Sequence, residues 1–250
     1  MPEWLKAGLW GGLAGSALIL GAAIGYLGRV PPRVIAFVMA FGGGVLISAL
    51  SFDLMKEAYD RGGATMAGIG FLAGALIFTG GTYALNRRGA RHRKRSGDQQ
   101  PSEADQPGSG LVLALGALID GIPESIAIGV SLLAGGSVSL VAVIAVFLSN
   151  VPEGLSSAAG MRHAGRSTKY VFGVWIAIAV ISAVASLLGY VVFGNFSPRA
   201  IAVTLAVAGG AILAMLADTM MPEAYESAHD EVGVITVVGF LIAFLLTTWT

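Results

Sequence analysis

The chain has 250 residues, 55% of them hydrophobic and only 12% charged, whereas soluble domains carry about 25% charged residues. Its 15 basic and 15 acidic residues cancel, which argues against nucleic-acid binding, and the lack of cysteine excludes disulfides and thiolate metal sites. We therefore expect a single polytopic membrane domain covering residues 1–250.

A transmembrane helix needs roughly 20 mostly apolar residues to cross about 30 Å of hydrocarbon, and eight segments of the chain meet this requirement. In chain order, these predicted spans are 5–28, 34–55, 64–85, 111–133, 138–160, 170–193, 200–221 and 232–249. The first segment has a cleavable signal as its alternative, although it is longer than the apolar core of a typical signal peptide. The sequence thus predicts an all-α membrane protein with eight transmembrane helices.

Lysine and arginine indicate the orientation, because short cytoplasmic loops retain these residues. Most of the 15 basic residues fall in the loops after spans 1, 3 and 5, and few fall in the loops after spans 2, 4 and 6. This distribution predicts a multi-pass protein of the cell membrane with both termini on the extracytoplasmic side.

The only long polar stretch, residues 86–110, joins spans 3 and 4 and begins with a basic run. Because its composition is too polar to bury a core, we expect a flexible basic and polar loop on the cytoplasmic side. Its single histidine, His92, is surrounded in sequence by cations that would repel a metal ion, so metal capture by this loop is not expected.

Spans 2 and 7 resemble each other. Each carries a glycine pair, then an aspartate, then Glu-Ala-Tyr and a further acid; these residues are Gly43, Gly44, Asp53 and 57–60 in span 2, and Gly209, Gly210, Asp218 and 223–226 in span 7. Since the two spans are predicted to run in opposite directions, the similarity indicates an inverted repeat of spans 1–3 and 6–8 around a central pair, spans 4 and 5. Such repeats are typical of transporters. Asp53, Asp218 and Glu223 would attract cations at the mouths of a pathway, or would simply be solvated acids at helix ends.

Three acidic residues lie in the middle of the central spans: Asp120 and Glu124 in span 4, and Glu153 in span 5. An acid at the centre of a membrane helix costs about 2.5–3.5 kcal/mol on insertion scales, so each of these acids needs compensation. Neither span contains Lys, Arg or His. A bound cation, protonation or water in a cavity would each supply that compensation.

Helical spacing favours a bound cation. Asp120 and Glu124 are four residues apart, as are Ser149 and Glu153, and Asn150 is one turn from Glu153, so each set lies on one helix face. Two facing helices would then bring up to five oxygen-bearing side chains to one point. The candidate metal ligands are Asp120, Glu124, Ser149, Asn150 and Glu153.

At these residues the sequence resembles the ZIP family of divalent metal transporters. The family pattern His-Asn-x-Pro-Glu-Gly in span 5 corresponds to Ser-Asn-Val-Pro-Glu-Gly at residues 149–154, and a similar pattern in span 4 corresponds to residues 120–125. Span 7 also looks like the family, with Asp218 followed by Pro222. The resemblance implies that the five candidate residues are metal ligands, that the metal moves into the cytoplasm, and that the protein is a homodimer.

Two departures from the family pattern affect the expected metal. Asp120 and Ser149 replace the family's histidines, and oxygen ligands suit harder ions such as manganese better than imidazole does. Span 6 has no charged residue to complete a second metal position, so one site is expected. We expect a carrier whose substrate is zinc, manganese or iron, and not an enzyme. The alternatives are a metal sensor or non-transporting homologue, a proton-coupled carrier of another substrate, and, least supported, an intramembrane hydrolase, for which no nucleophile motif is present.

Overall fold

The computed structural model describes residues 1–87, 90–135 and 140–249, and within these ranges it contains helices and turns but no strand. The α-helices in this part of the chain are α1 (Glu3–Leu27), α2 (Pro32–Ala49), α3 (Met55–Asn86), α4 (Ser109–Gly135), α5 (Leu140–His163), α6 (Thr168–Phe193), α7 (Pro198–Met215), α8 (Met221–Ala228) and α9 (Val232–Trp249). A five-residue π-helical turn, Leu50–Leu54, follows α2, and another, Leu216–Met220, follows α7. The prediction of an all-α protein is confirmed.

Six helical stretches within the described ranges are long and apolar enough to cross a membrane. They are Glu3–Leu27, Pro32–Asn86, Ser109–Leu133, Ala142–His163, Thr168–Phe193 and Pro198–Thr247. The second stretch has 55 residues because a π-helical turn joins α2 to α3 without a gap. The last has 50 residues because a π-helical turn joins α7 to α8 and a 3-10 turn, His229–Glu231, joins α8 to α9. Eight spans were predicted, and the eight-span count stays a prediction.

Each of the two longest stretches contains one residue with a positive φ. Gly63 has φ 73° and ψ 173°, which kinks α3, and His229 has φ 44° at the end of α8. A straight 55-residue helix would be about 80 Å long, more than twice the hydrocarbon thickness. Gly63 tolerates this φ because it has no Cβ.

The outer surface of the bundle is apolar. Along α3, for example, Ile69, Leu72, Leu76 and Ile77 are each at least 62% exposed. In water this exposure would be unfavourable, whereas in a bilayer these side chains meet lipid tails. The chain is therefore a multi-pass membrane protein, as predicted.

Glycines allow the helices of the bundle to pack closely. The main pairings are α3 with α7, α2 with α9, α4 with α6, and α1 with both α5 and α6. A Cβ built on Gly44 of α2 would overlap the carbonyl oxygen of Thr236 in α9, and one built on Gly210 of α7 would overlap that of Phe71 in α3. These contacts require small residues, and they bring α2 against α9 and α7 against α3.

Candidate metal site

All five predicted ligands are buried where α4 and α5 face the interior. The exposed fractions are 1% for Asp120, 2% for Glu124, 1% for Ser149, 5% for Asn150 and 4% for Glu153. Helix α4 places Glu124 one turn beyond Asp120, and α5 places Ser149 and Glu153 on one face, as the spacing predicted.

Two cations from the segment between α3 and α4 pair with the acids. The Arg93 Nε donates to Asp120 Oδ2 at 2.7 Å, and its second terminal nitrogen, Nη2, donates to Asp120 Oδ1 at 2.9 Å. Lys94 Nζ lies 3.4 Å from Asp120 Oδ2 and 3.2 Å from Glu153 Oε2. One ammonium group thus bridges carboxylates of α4 and α5, in ion-pair rather than hydrogen-bond geometry.

Both cations are themselves buried, with Arg93 1% and Lys94 2% exposed. A buried charge pair is tolerated only when its geometry is good and its remaining donors are satisfied. Arg93 meets this condition, because its Nη1 also donates to the carbonyl oxygen of Ala90 at 3.1 Å. Asp120 is therefore compensated by Arg93, whereas Glu153 lies at ion-pair distance from Lys94, whose ammonium group has no hydrogen-bond partner among the described residues.

Glu124 differs from the other two acids. Neither of its carboxyl oxygens has a hydrogen-bond partner in the part of the chain that the structure describes, although both are buried. The side chain lines a small cavity whose other walls are apolar, including Leu50, Ile128 and Val146. An unpaired buried carboxyl is costly, so this position suits a cation or a proton.

Ser149 and Asn150 are engaged with backbone. Ser149 Oγ donates to the carbonyl oxygen of Val146 at 2.9 Å, and Asn150 Nδ2 donates to that of Ala14 in α1 at 2.9 Å. Ser149 keeps the lone pairs of its oxygen, and the side-chain oxygen is the atom of Asn150 that can bind a cation.

Among the described residues, no group of three or more His, Asp or Glu side chains is arranged to hold a metal ion. The structure thus brings two of the predicted ligands, Asp120 and Glu153, together around Lys94. It leaves Glu124 one turn away and ties Ser149 and Asn150 to backbone. The five-ligand site stays a prediction.

The three residues predicted at the mouths have different surroundings. Asp53 lies in the first π-helical turn and is partly buried, and Asp218 lies in the second and is exposed. Glu223 in α8 is 5% exposed, and its Oε1 accepts from both the backbone N–H and the hydroxyl of Ser96 at 2.9 Å. Arg95 also donates to Glu223 Oε2 at 3.1 Å. In this structure Glu223 is an anchor for the segment that carries Arg93 and Lys94.

Further contacts hold the same segment in place. Gln100 is 4% exposed, and its Nε2 donates to the carbonyl oxygen of Ser157 in α5 at 3.0 Å. Gln99 Nε2 donates to Glu226 of α8 at 2.8 Å. Residues 90–100, which lie within the range predicted to be flexible, therefore pack against α4, α5 and α8.

The second half of this loop is fixed to the turn between α5 and α6. Arg166 donates from one terminal nitrogen to Glu103 at 2.7 Å and from the other to the carbonyl oxygen of Pro101 at 3.0 Å. The Arg166 guanidinium, with the backbone N–H groups of Gly110 and Gly108, lowers the pKa of Glu103 from 4.5 to about 2.

Sequence reasoning missed Arg93 and Lys94 as parts of the site, because the loop composition predicted solvent exposure. The available signal was the imbalance of charge. Three acids in the central spans had no basic partner within those spans, and a basic run lay just before span 4 in the chain.

These features define a class: a multi-pass helical membrane protein in which helices α4 and α5 carry buried acids, two of them paired with cations. The chain is 30% identical over 227 residues to the zinc transporter ZupT of Salmonella heidelberg (strain SL476). The aligned region covers 86% of this chain and 84% of the relative. It is also 30% identical over 225 residues, with the same coverage, to the zinc transporters ZupT of Salmonella newport (strain SL254) and Salmonella typhimurium (strain LT2). No family model matches the chain.

The chain belongs to the ZIP family of divalent metal transporters, as the motifs in the central spans predicted. In a protein of this family the metal ion is a substrate and not a cofactor, and the expectation that the chain is not an enzyme is confirmed.

Proposed function

We propose that the protein carries a divalent metal cation across the membrane into the cytoplasm, and that the ion binds between α4 and α5. Zinc is supported by the names of the relatives. The oxygen-rich ligand set makes manganese and iron further candidates. Asp120, Glu124 and Glu153 would supply charge, and the oxygens of Ser149 and Asn150 would complete the coordination.

The observation that carries this proposal is the position of Lys94. A single cationic group lies 3.4 Å from Asp120 and 3.2 Å from Glu153, so the two helices already form a point at which one cation contacts both carboxylates. Arg93 and Lys94 together carry two positive charges, the charge of one divalent ion. An incoming metal could therefore replace them without changing the net charge of the site.

We also propose that the two longest stretches each contribute two spans, which makes eight, and that these pairs form an inverted repeat. Both stretches contain a π-helical turn of five residues that carries an aspartate, Asp53 in one and Asp218 in the other. The close contacts are reciprocal as well, because Gly44 of α2 meets α9 and Gly210 of α7 meets α3. A two-fold relation between the halves would produce this pattern.

In this proposal the termini lie on the extracytoplasmic side, and the positions of the basic loops support this orientation. Asp53 then lies at the outer mouth, and Asp218 and Glu223 lie at the inner mouth. Helix α4 begins at Ser109, so Asp120 is about 16 Å from its cytoplasmic end. By family resemblance, the functional unit is a homodimer in the bilayer.

Zinc uptake into proteoliposomes tests the proposal. Glu153→Gln keeps the side-chain volume but removes a negative charge from the ion, so we expect uptake to fall to the level of empty liposomes. The matched control is Glu3→Gln at the partly exposed start of α1, far from the site in sequence, which should transport like the parent. Unchanged uptake in Glu153→Gln would refute the site, and tight zinc binding by the parent without flux would favour a sensor.

A further inference from the structure

We propose that Arg93 and Lys94 form a tethered cation plug, which occupies the metal site between transport events and competes with the metal for the same carboxylates. The inference rests on the proposed function, since it concerns the regulation of that site.

The geometry makes occupancy by the plug and by a metal ion mutually exclusive. Arg93 donates hydrogen bonds from two nitrogens to the two carboxylate oxygens of Asp120, at 2.7 and 2.9 Å. A zinc ion bound by a carboxylate lies about 2.0–2.2 Å from its oxygen, in the space these donors occupy. Lys94 holds the bridging position between Asp120 and Glu153. A metal ion that binds both acids must therefore displace both cations.

The plug also closes the proposed route to the cytoplasm. Ser96, two residues beyond Lys94, is bound through its backbone N–H and its hydroxyl to Glu223 of α8. Gln100 is bound to the backbone of α5 at Ser157. The segment 93–100 thus covers Glu223, one of the acids proposed at the inner mouth, and it must detach there if the plug leaves the site.

This arrangement has a direct consequence for transport. In the empty carrier, Arg93 and Lys94 would neutralise Asp120 and Glu153, which otherwise would be buried charges without partners. When a metal arrives, the plug is displaced into the cytoplasm. Its return then helps to expel the ion, because the local concentration of a tethered group is high. Metal affinity is therefore lower than the carboxylates alone would provide.

Zinc binding to the purified full-length protein provides the first test. Arg93→Gln/Lys94→Gln removes the competitor. If the plug leaves the site open about one tenth of the time in the parent, the double variant should bind zinc about tenfold tighter. The control Arg91→Gln removes an exposed charge from the same basic run and should bind zinc as the parent does. Equal or weaker affinity in the double variant would overturn the plug.

The second test leaves Arg93 and Lys94 in place and so does not depend on the double variant folding. Because the chain has no native cysteine, Ser96→Cys introduces a single thiol that is buried while the segment is docked. Its rate of maleimide labelling should rise several-fold when zinc is added. Asp98→Cys, at an exposed position, should label rapidly with and without zinc and reports any direct effect of zinc on a thiol.

Glu153→Gln in the Ser96→Cys background separates the two proposals. If the plug is correct, this substitution abolishes the effect of zinc on labelling. A labelling rate that is insensitive to zinc, in a protein whose zinc binding depends on Glu153, would refute the plug and leave the proposed function intact. Zinc binding that is independent of Glu153 would refute the proposed site and the plug with it.

Discussion

Replacing Asp120 with asparagine would remove the acid that holds both buried cations. The asparagine keeps the size of the side chain but leaves Arg93 without its charged partner and Lys94 with Glu153 alone. Breaking a buried ion pair by removing one partner costs about 3–5 kcal/mol, because the other charge stays buried without compensation. We therefore expect Asp120→Asn to lower the stability of the metal-free protein by about this amount.

The assay is thermal unfolding of the metal-free protein in detergent. On the scale of soluble domains of similar size, 1 kcal/mol corresponds to about 2–4 °C, so the melting temperature should fall by roughly 6–20 °C. Glu3→Gln is the matched control, since it breaks the partly exposed pair with Lys6, and ion pairs near the surface contribute about 0–1 kcal/mol.

A double-mutant cycle isolates the pair itself. Arg93→Gln/Asp120→Asn removes both charges, so it should be less destabilised than the sum of the single variants by about 0.5–3 kcal/mol. If Asp120→Asn melts at the parent temperature, or if the two effects are additive, the ion pair between Arg93 and Asp120 does not form in the metal-free protein and the reasoning is refuted.

Two further predictions concern selectivity and pH. Asp120→His/Ser149→His supplies two imidazole ligands and removes one negative charge, so in competition assays the metal preference should shift from manganese towards zinc. If the ratio of zinc to manganese affinity is the same in the parent and the double variant, these two positions do not contact the ion. Glu103→Gln tests the anchor at Arg166. The pKa of Glu103 is lowered to about 2. The ionised Glu103 therefore stabilises the protein above about pH 4.5, and this contribution is lost as the pH falls towards 2. The melting difference between parent and Glu103→Gln should therefore be largest near neutral pH and vanish in acid, and a difference that persists at low pH would contradict this role.

Much of the architecture follows from the sequence alone. Long apolar segments in a chain with 12% charged residues require helices, because lipid offers no partner for backbone N–H and carbonyl groups. The spacing of Asp120 and Glu124, four residues apart, already fixes them on one face of a helix. The motif at residues 149–154 identified the family that the comparison with relatives then confirmed.

The length of the helical stretches does not by itself give the number of membrane spans. The hydropathy pattern divides residues 32–86 and 198–247 into two spans each, whereas helical structure continues along each range and is interrupted near the predicted boundary by a single residue of positive φ, Gly63 or His229. The π-helical turns, Leu50–Leu54 and Leu216–Met220, lie within predicted spans 2 and 7, where they shift the hydrogen-bond register by one residue without ending the helix.

Only the tertiary structure revealed what compensates the buried acids. Arg93 and Asp120 are 27 residues apart, and Lys94 pairs with Glu153 on the next helix. Composition describes residues 86–110 as a solvated loop, because long polar side chains ordinarily stay in water. Here the attraction of buried carboxylates, together with the hydrogen bonds from Ser96 to Glu223, brings part of that loop into the bundle. Such pairing depends on where α4, α5 and α8 meet in space, and local sequence carries no record of that distance.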